Sequence, residues 1–451
     1  MGTELSPVVP RRPGSQLIPA SALLSPREAE EVFHAGGEAI CVACKGAHLL
    51  CGKERCPILT RLALFQAARP LFETTELAGA TPPGVFVGRM GYPKVTIGPL
   101  VPPVGGDTTI LDMPEQWLGK PIEEIASMRF SLVRGKIRVN ACEVETSGRL
   151  VDMTRELAMA ASPADIEAEF TRKPAGKVVV NEDSQPFGPS APLKALDLGD
   201  LKVDQRIEKR YGDTDLKAKG AVLDLYRDGL PVSRIQRSFS AGLFGLKKNR
   251  HFVPTRWSIT AVDNAIGLDL VAKVKRAPEI NEFRIYEAGN LDNRFLVLML
   301  PMAWSYELIE AWYPNTLWNP LGRRTVIFGD CEFYEGRTTY AQIGGCYYAA
   351  RLAVGECLTK ENRQARVVIL REAHPGYIMP VGVWNVRETV REALRHEPRR
   401  FDRLSEALAH VTTRLDIPLG TWIRHSGLLR DVRKQRRLVD FAEKKESLRN
   451  V

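Results

Sequence analysis

Half of the eight cysteines in this 451-residue chain fall within one short stretch, with the spacing Cys41-x2-Cys44-x6-Cys51-x4-Cys56. A Cys-x-x-Cys knuckle presents two thiolates to one soft ion at about 2.3 Å, and a second pair closes a tetrahedral site. Four thiolates leave no open position, so the expected site is structural. Lys45, Lys53 and Arg55 are placed to offset its negative charge, and His48 is a surplus donor. Zinc is the expected ion. An iron–sulfur cluster draws on the same ligands, whereas disulfides are disfavoured in a reducing compartment.

A second chemical stretch is His251–Asp263, His-Phe-Val-Pro-Thr-Arg-Trp-Ser-Ile-Thr-Ala-Val-Asp. Alternation sets Trp257, Ile259 and Ala261 against Arg256, Ser258 and Thr260, which reads as a strand with a guanidinium and hydroxyls on one face. That face suits a phosphate or carboxylate, because arginine offers a planar fork of donors. The plainer reading is an amphipathic strand with an exposed arginine. Lys247, Lys248 and Arg250 precede it, and Arg89 and Lys94 flank the turn Gly88-Arg-Met-Gly-Tyr92. These five are the candidate nucleic-acid contacts, since clustered cations meet phosphates without reading sequence. No helix pattern follows the Gly88–Tyr92 turn, so it is neither a P-loop nor a dinucleotide fingerprint.

A third set joins Arg256 with Asp263, Asp330, Glu332, Tyr347, Arg351 and Glu388. Carboxylates beside Arg and Tyr could provide acid–base chemistry or a base-stacking pocket. Asp330 and Glu332 share a strand face and could hold a divalent ion. Against this stands the reading that Arg351 and Glu356 are buried ion pairs or an ordinary helix face.

The elements that must position these residues are α+β, a mixed α/β arrangement with a small N-terminal four-cysteine zinc knot. Residues 1–25 read as a flexible, proline-punctuated arm, and 26–66 as the zinc-binding region, opened by a helix at Pro26–Ala35. Residues 67–185 form a first α+β region, with strands and turns over Val85–Pro103, a helix at Gly119–Arg129 and a basic strand at Phe130–Val139. Helices are expected over Thr146–Ala161 and Pro163–Arg172, and a linker over Asn181–Pro192. The main α+β domain spans 195–422. It carries helix Leu216–Arg227, strands Phe283–Tyr286 and Arg294–Leu300, and helix and loop over Trp304–Trp318. A strand at Thr325–Phe333, a strong helix at Thr339–Leu358 and a strand at Arg366–Leu370 follow. Residues 423–451 are a basic tail.

Lys and Arg total 63 against 54 Asp and Glu, a net charge of +9. That is a mild excess favouring polyanionic partners. Hydrophobic content of 44% and charged content of 26% exclude a disordered chain. No apolar run approaches the roughly 20 residues that cross a bilayer, and the start lacks a signal pattern. A cytoplasmic protein without a membrane partner is expected. In the tail, Gln435, Leu438 and Phe441 space apolar anchors along one helical turn, the pattern of a segment that folds into a partner's groove.

Together these motifs resemble the archaeal Nre family of DNA repair proteins over nearly the full chain. The likeness rests on the cysteine cluster, Gly91-Tyr-Pro-Lys-Val with Gly98-Pro-Leu, and Val253-Pro-Thr-Arg-Trp-Ser-Ile-Thr-Ala-Val-Asp263. It extends to Gly344-Gly-Cys-Tyr-Tyr348-Ala-Ala-Arg351 and Pro380-Val-Gly-Val-Trp-Asn-Val-Arg-Glu388. The resemblance implies zinc ligands at Cys41, Cys44, Cys51 and Cys56. It also implies a peptide, Gln435, Leu438, Phe441 and Ala442, that docks on the DNA sliding clamp PCNA. Ala442 stands where a second aromatic is usual, which implies weaker docking.

Three functions are then open. The first is a DNA damage repair factor recruited by the clamp and associated with the nucleoid. The second is an enzyme acting on DNA bases or a nucleotide such as NAD around Arg256, with no organic cofactor singled out. The third is a scaffold for other repair proteins.

Overall fold

The computed structural model describes residues 43–44, 48–53, 55–176, 187–316, 318–320 and 322–434. The arm, the Pro26–Ala35 helix, Cys41 and the clamp peptide at 435–442 lie outside the described residues. Among the described residues there are two six-stranded mixed sheets and twelve α-helices of seven or more residues, so the α+β expectation holds.

The first sheet uses β1 (Glu76–Thr81), β2 (Val85–Val87), β3 (Lys94–Val101), β4 (Val133–Asn140), β5 (Ala164–Phe170) and β6 (Ser190–Leu198), in the order β1-β5-β6-β4-β3-β2. All its pairings are antiparallel except β4 with β6. Helix α1 (Pro57–Ala68) adds Ala68 to its core, and α2 (Ile122–Ser131) supplies Ile122, Ile125, Ala126 and Phe130, packed on Val101, Val133, Ile166 and Phe170. The segment expected as helix Pro163–Arg172 is β5. Its burial alternates residue by residue, and that period of two places Ala164, Ile166, Ala168 and Phe170 inward. Strand β6 runs from 190 to 198 within this sheet, across position 195.

Helices α3 (Arg149–Met159), α4 (Gln205–Gly212), α5 (Ala218–Arg227) and α6 (Val232–Ser240) follow, and then α7 (Thr255–Val274). The strand expected at the start of α7 is corrected by this helix of 20 residues. Its buried residues, Ser258, Val262, Asp263, Ile266, Gly267, Leu270, Val271 and Val274, recur every three or four positions. Only the longer window exposes that period. Pro254 precedes the first turn, and its carbonyl accepts from the Trp257 and Ser258 N–H groups.

The second sheet contains β7 (Phe283–Asn290), β8 (Asn293–Leu300), β9 (Ser305–Trp312), β10 (Val326–Glu332), β11 (Arg366–Ala373) and β12 (Arg399–Phe401), ordered β10-β9-β11-β8-β7-β12. Both faces are covered. On one side Phe295, Val297 and Met299 pack with α7, α8 (Gly345–Glu361) and α9 (Trp384–Arg395). On the other, Leu296, Leu298 and Leu300 meet α10 (Leu404–Arg414), α11 (Leu419–His425) and α12 (Gly427–Lys434). Two-sided cover explains why the expected helix over Trp304–Trp318 is instead β9, with every residue buried. Its internal carboxylates are satisfied. Glu307 accepts from the Gly427 N–H at 2.7 Å and from Ser426, and Glu310 accepts from Arg371 at 2.7 Å. No described helix is long and apolar enough to cross a membrane.

Candidate nucleic-acid interface

The β2–β3 turn and the first turn of α7 form one surface. The Val87 N–H donates to Thr255 Oγ1 at 2.9 Å, tying the end of β2 to the helix. The turn closes through the Lys94 N–H to the Gly91 carbonyl at 2.9 Å, with Gly91 at φ +82°, a conformation glycine adopts without strain. This brings the Tyr92 ring to 5.1 Å from the Trp257 ring, tilted by 56°. Both rings remain about half exposed, and Met90 beside them is 83% exposed.

Cations surround the two rings. Arg89, Lys94, Arg138 and Arg256 are exposed, and none pairs with a carboxylate among the described residues. The register explains this for the two on strands. Lys94 faces Asn140 across the β3–β4 pair and Arg138 faces Thr96, so the cross-strand neighbours are neutral. Alternation along β4 adds Arg134 and Lys136 to the same face. The Arg134 guanidinium lies over Phe86 and Phe187, at 5.0 and 4.9 Å from the ring centroids. Burial lowers it to about 10, so it stays charged at neutral pH. Partial burial also lowers Lys136, helped by the like charges of Arg134 and Arg172.

Of the basic run before α7, Lys247 and Lys248 are exposed. Arg250 is not available to a phosphate. It is buried, donates to the Gly245 carbonyl at 3.1 Å and the Tyr211 carbonyl at 2.6 Å, and lies over the Tyr211 ring. The chain then passes beside the turn, because the Phe252 N–H donates to the Ala141 carbonyl and the Ala141 N–H to that of Pro93.

The remaining candidates sit inside, around α7. Asp263 accepts from Arg387 Nη1 at 2.9 and 3.0 Å and from Gln236 at 2.8 Å. Burial raises Asp263 to about 6, opposed by the charges of Arg387 and Arg391. Glu388 binds Arg387 at 3.1 Å and Arg391 at 2.9 Å, and Arg391 continues to Glu356. A second network starts at Asn264, which accepts from Arg351; the other side of that guanidinium binds Glu332 at 2.7 Å. Arg351 lies over the Tyr347 and Tyr348 rings, and Arg337 covers Tyr347 again while pairing with Asp330 at 2.8 Å. Asp330 also accepts from the Gln342 N–H at 2.6 Å. Arg256 therefore stands outside, whereas Asp263, Asp330, Glu332, Tyr347, Arg351 and Glu388 are held within paired networks.

Sequence comparison places this architecture among known proteins. A sequence model of the archaeal Nre N-terminal region matches residues 50–319, and its C-terminal counterpart matches residues 332–441. The chain belongs to the archaeal Nre family. It is similar to the DNA repair protein NreB of Archaeoglobus fulgidus, 39% identical over 403 residues, covering 89% of this chain and 99% of that one. NreA of the same organism, also named a DNA repair protein, is 35% identical over 83% of this chain and 94% of its own length. NreA of Haloferax volcanii, named likewise, is 34% identical over 85% of this chain and 94% of its own. No solved structure matches the chain.

The N-terminal Nre match takes in the turn, Tyr92 and Trp257, and begins just before Cys51. Cys44 and Cys56 are buried free thiols and Cys51 is half-buried. The Leu50 N–H points at Cys44 Sγ, 3.4 Å away. Burial pushes the Cys56 thiol up, against backbone N–H groups of Leu59 and Ile58 that pull it down, and the charges of Cys44 and Cys51 add to the rise. Cys41 lies outside the described residues. Lys53 donates to the Asn315 carbonyl and Arg55 pairs with Glu123, so both also anchor this segment to the body. Sequence reading missed Tyr92 as the partner of Trp257. The signal was present in Gly91-Tyr-Pro, a turn that exposes the ring between two glycine- and proline-fixed positions.

Proposed function

We propose that this protein is a DNA repair factor that holds DNA on the face around Tyr92 and Trp257. Its relatives are named DNA repair proteins, which supports the role. The observation that carries the contact surface is the exposed Tyr92–Trp257 pair set among cations that lack carboxylate partners. An aromatic platform stacks a base for about 1–3 kcal/mol whatever its identity, and the cations release counterions from the backbone. A base must be unstacked to reach the rings, so single-stranded DNA is the favoured ligand. The test is fluorescence anisotropy with single-stranded and duplex oligonucleotides. Trp257→Ala is expected to weaken single-strand binding roughly tenfold to a hundredfold; unchanged affinity would overturn the reading.

Recruitment belongs to the tail. Gln435, Leu438, Phe441 and Ala442 follow directly on α12 and would dock on the sliding clamp PCNA, with Ala442 giving a weaker grip than a second aromatic. Phe441→Ala should abolish clamp binding in calorimetry while the melting curve stays as in wild type. Retained binding would remove the clamp from the proposal. At the other end, Cys41, Cys44, Cys51 and Cys56 would hold a structural zinc ion, and the Leu50 N–H, 3.4 Å from Cys44 Sγ, would stabilise a thiolate there. An intracellular, nucleoid-associated protein follows from this reading.

Catalysis on a DNA base or on NAD is less well supported. The carboxylates it would use are held by arginines inside the body, as Asp263 is by Arg387 and Glu332 by Arg351. A scaffold for other repair proteins accommodates that interior equally well. Turnover by wild type that is lost in both Glu332→Gln and Arg256→Ala would restore the enzymatic reading.

A further inference from the structure

A cluster far along the chain from the cysteines has the composition of a second metal site. Strand β11 ends at Glu372-Ala373 with His374 next in the chain, and the spacing of two puts the carboxylate and the imidazole on one face. Asp416, in the loop between α10 and α11, approaches the same point. One donor atom from each of Glu372, His374 and Asp416 lies within 4.8 Å of the other two.

Three observations point to a ligand there. First, Glu372 Oε2 and His374 Nε2 are 3.5 Å apart. That is long for a hydrogen bond and close to the separation, about 3.4 Å, of two ligands on one tetrahedral ion with bonds near 2.1 Å. Second, His374 Nε2 is shut off from solvent and has no hydrogen-bond partner. Buried polar atoms are seldom left so. Third, the groups are already oriented. The imidazole stacks on the Tyr313 ring at 4.5 Å, and the fully buried Glu372 accepts from the Ile417 N–H at 2.8 Å and the Asp416 N–H at 3.2 Å. The local cation is Arg294, which pairs with Asp416 at 3.1 Å and stands 4.0 Å from Glu372. Its side chain is half exposed, so it can turn outward as an ion enters.

We propose that Glu372, His374 and Asp416 bind a divalent transition-metal ion of the zinc class, independently of the cysteine knot. One nitrogen and two carboxylates suit zinc or manganese better than calcium, which takes oxygen ligands alone. Three protein ligands leave a fourth position for water or a phosphate oxygen, on the solvent side beside Asp416. The ion would tie the loop between α10 and α11 to the end of β11.

The experiment loads the chelator-treated full chain with Zn²⁺ and counts metal per chain by mass spectrometry. His374→Ala is expected to hold one ion fewer than wild type, and Zn²⁺ to raise the melting temperature of wild type more than that of the variant. The Asp416 side chain is 58% exposed, so Asp416→Asn keeps the fold and should weaken Zn²⁺ at least tenfold in competition with a chelator. Cys44→Ser is expected to keep the His374-dependent ion, so failure of the cysteine knot reads out separately. Equal metal content in wild type and His374→Ala, or an affinity untouched by Asp416→Asn, would overturn the proposal.

Discussion

The interior around α7 and the face around Tyr92 are both rich in arginine, and they treat it in opposite ways. Inside, guanidinium meets carboxylate: Arg351 with Glu332, Arg387 with Asp263 and Glu388, Arg371 with Glu310, Arg391 with Glu356. On the face, Arg89, Lys94, Arg138 and Arg256 have no such partner among the described residues. A buried charge without a partner costs several kcal/mol, so the interior must be balanced to fold at all. A solvated charge costs little to leave unpaired, so an excess on one face can be kept for a polyanion. Partnering, with carboxylates or, as at Arg250, with backbone carbonyls, therefore separates the arginines that build the protein from those that can meet a ligand.

The comparison breaks most visibly at Glu332. Glu332→Ala strands the Arg351 guanidinium, which is 1% exposed, and should cost about 3–5 kcal/mol of stability in chemical denaturation. A loss below about 1 kcal/mol would mean that the interior pairs are not structural. Trp257→Ala is the converse. It should leave stability within about 0.5 kcal/mol of wild type while costing about 1–3 kcal/mol of single-strand binding. A variant that lost both would place Trp257 in the scaffold. The smallest and sharpest effects lie in the turn's lysine and the basic run. Lys94→Ala and Lys248→Ala should each reduce the salt dependence of DNA binding by about 0.7 to 0.9 in the logarithmic slope. Arg250→Ala, only two residues from Lys248, should lower the melting temperature and leave that slope unchanged. Equal behaviour of Lys248 and Arg250 would erase the distinction between face and interior.

Much of this was legible in the residues. Alternation in Arg134-Gly-Lys136-Ile-Arg138 announces a basic strand face, and β4 has it. The apolar runs of β8 and β11 announce strands covered on both sides. Other segments misled for identifiable reasons. Trp257-Ser-Ile-Thr-Ala alternates as a strand does over five residues, and only the recurrence from Ser258 to Val274 reveals the helix. Strand β9 hides Glu307 and Glu310 inside a sheet, where no local rule places acids; their partners come from Ser426, Gly427 and Arg371, more than 60 residues away in the chain. Glu372-Ala-His374 carries a readable strand-face signal, but Asp416 joins it only through the packing of α10 and α11.

What the linear chain determined by itself is the chemistry on offer and its local presentation: thiols at knuckle spacing, a basic strand, a glycine-held turn and its family. Short-range geometry suffices for these, because periodicity and backbone stereochemistry act over a few residues. Only the tertiary structure decided which charges are matched. Whether Arg250 or Lys248 is free, whether Asp263 can act as an acid, and whether Tyr92 finds Trp257 depend on contacts between distant segments. Burial, which sets the cost of an unmatched charge, exists only once those segments have packed.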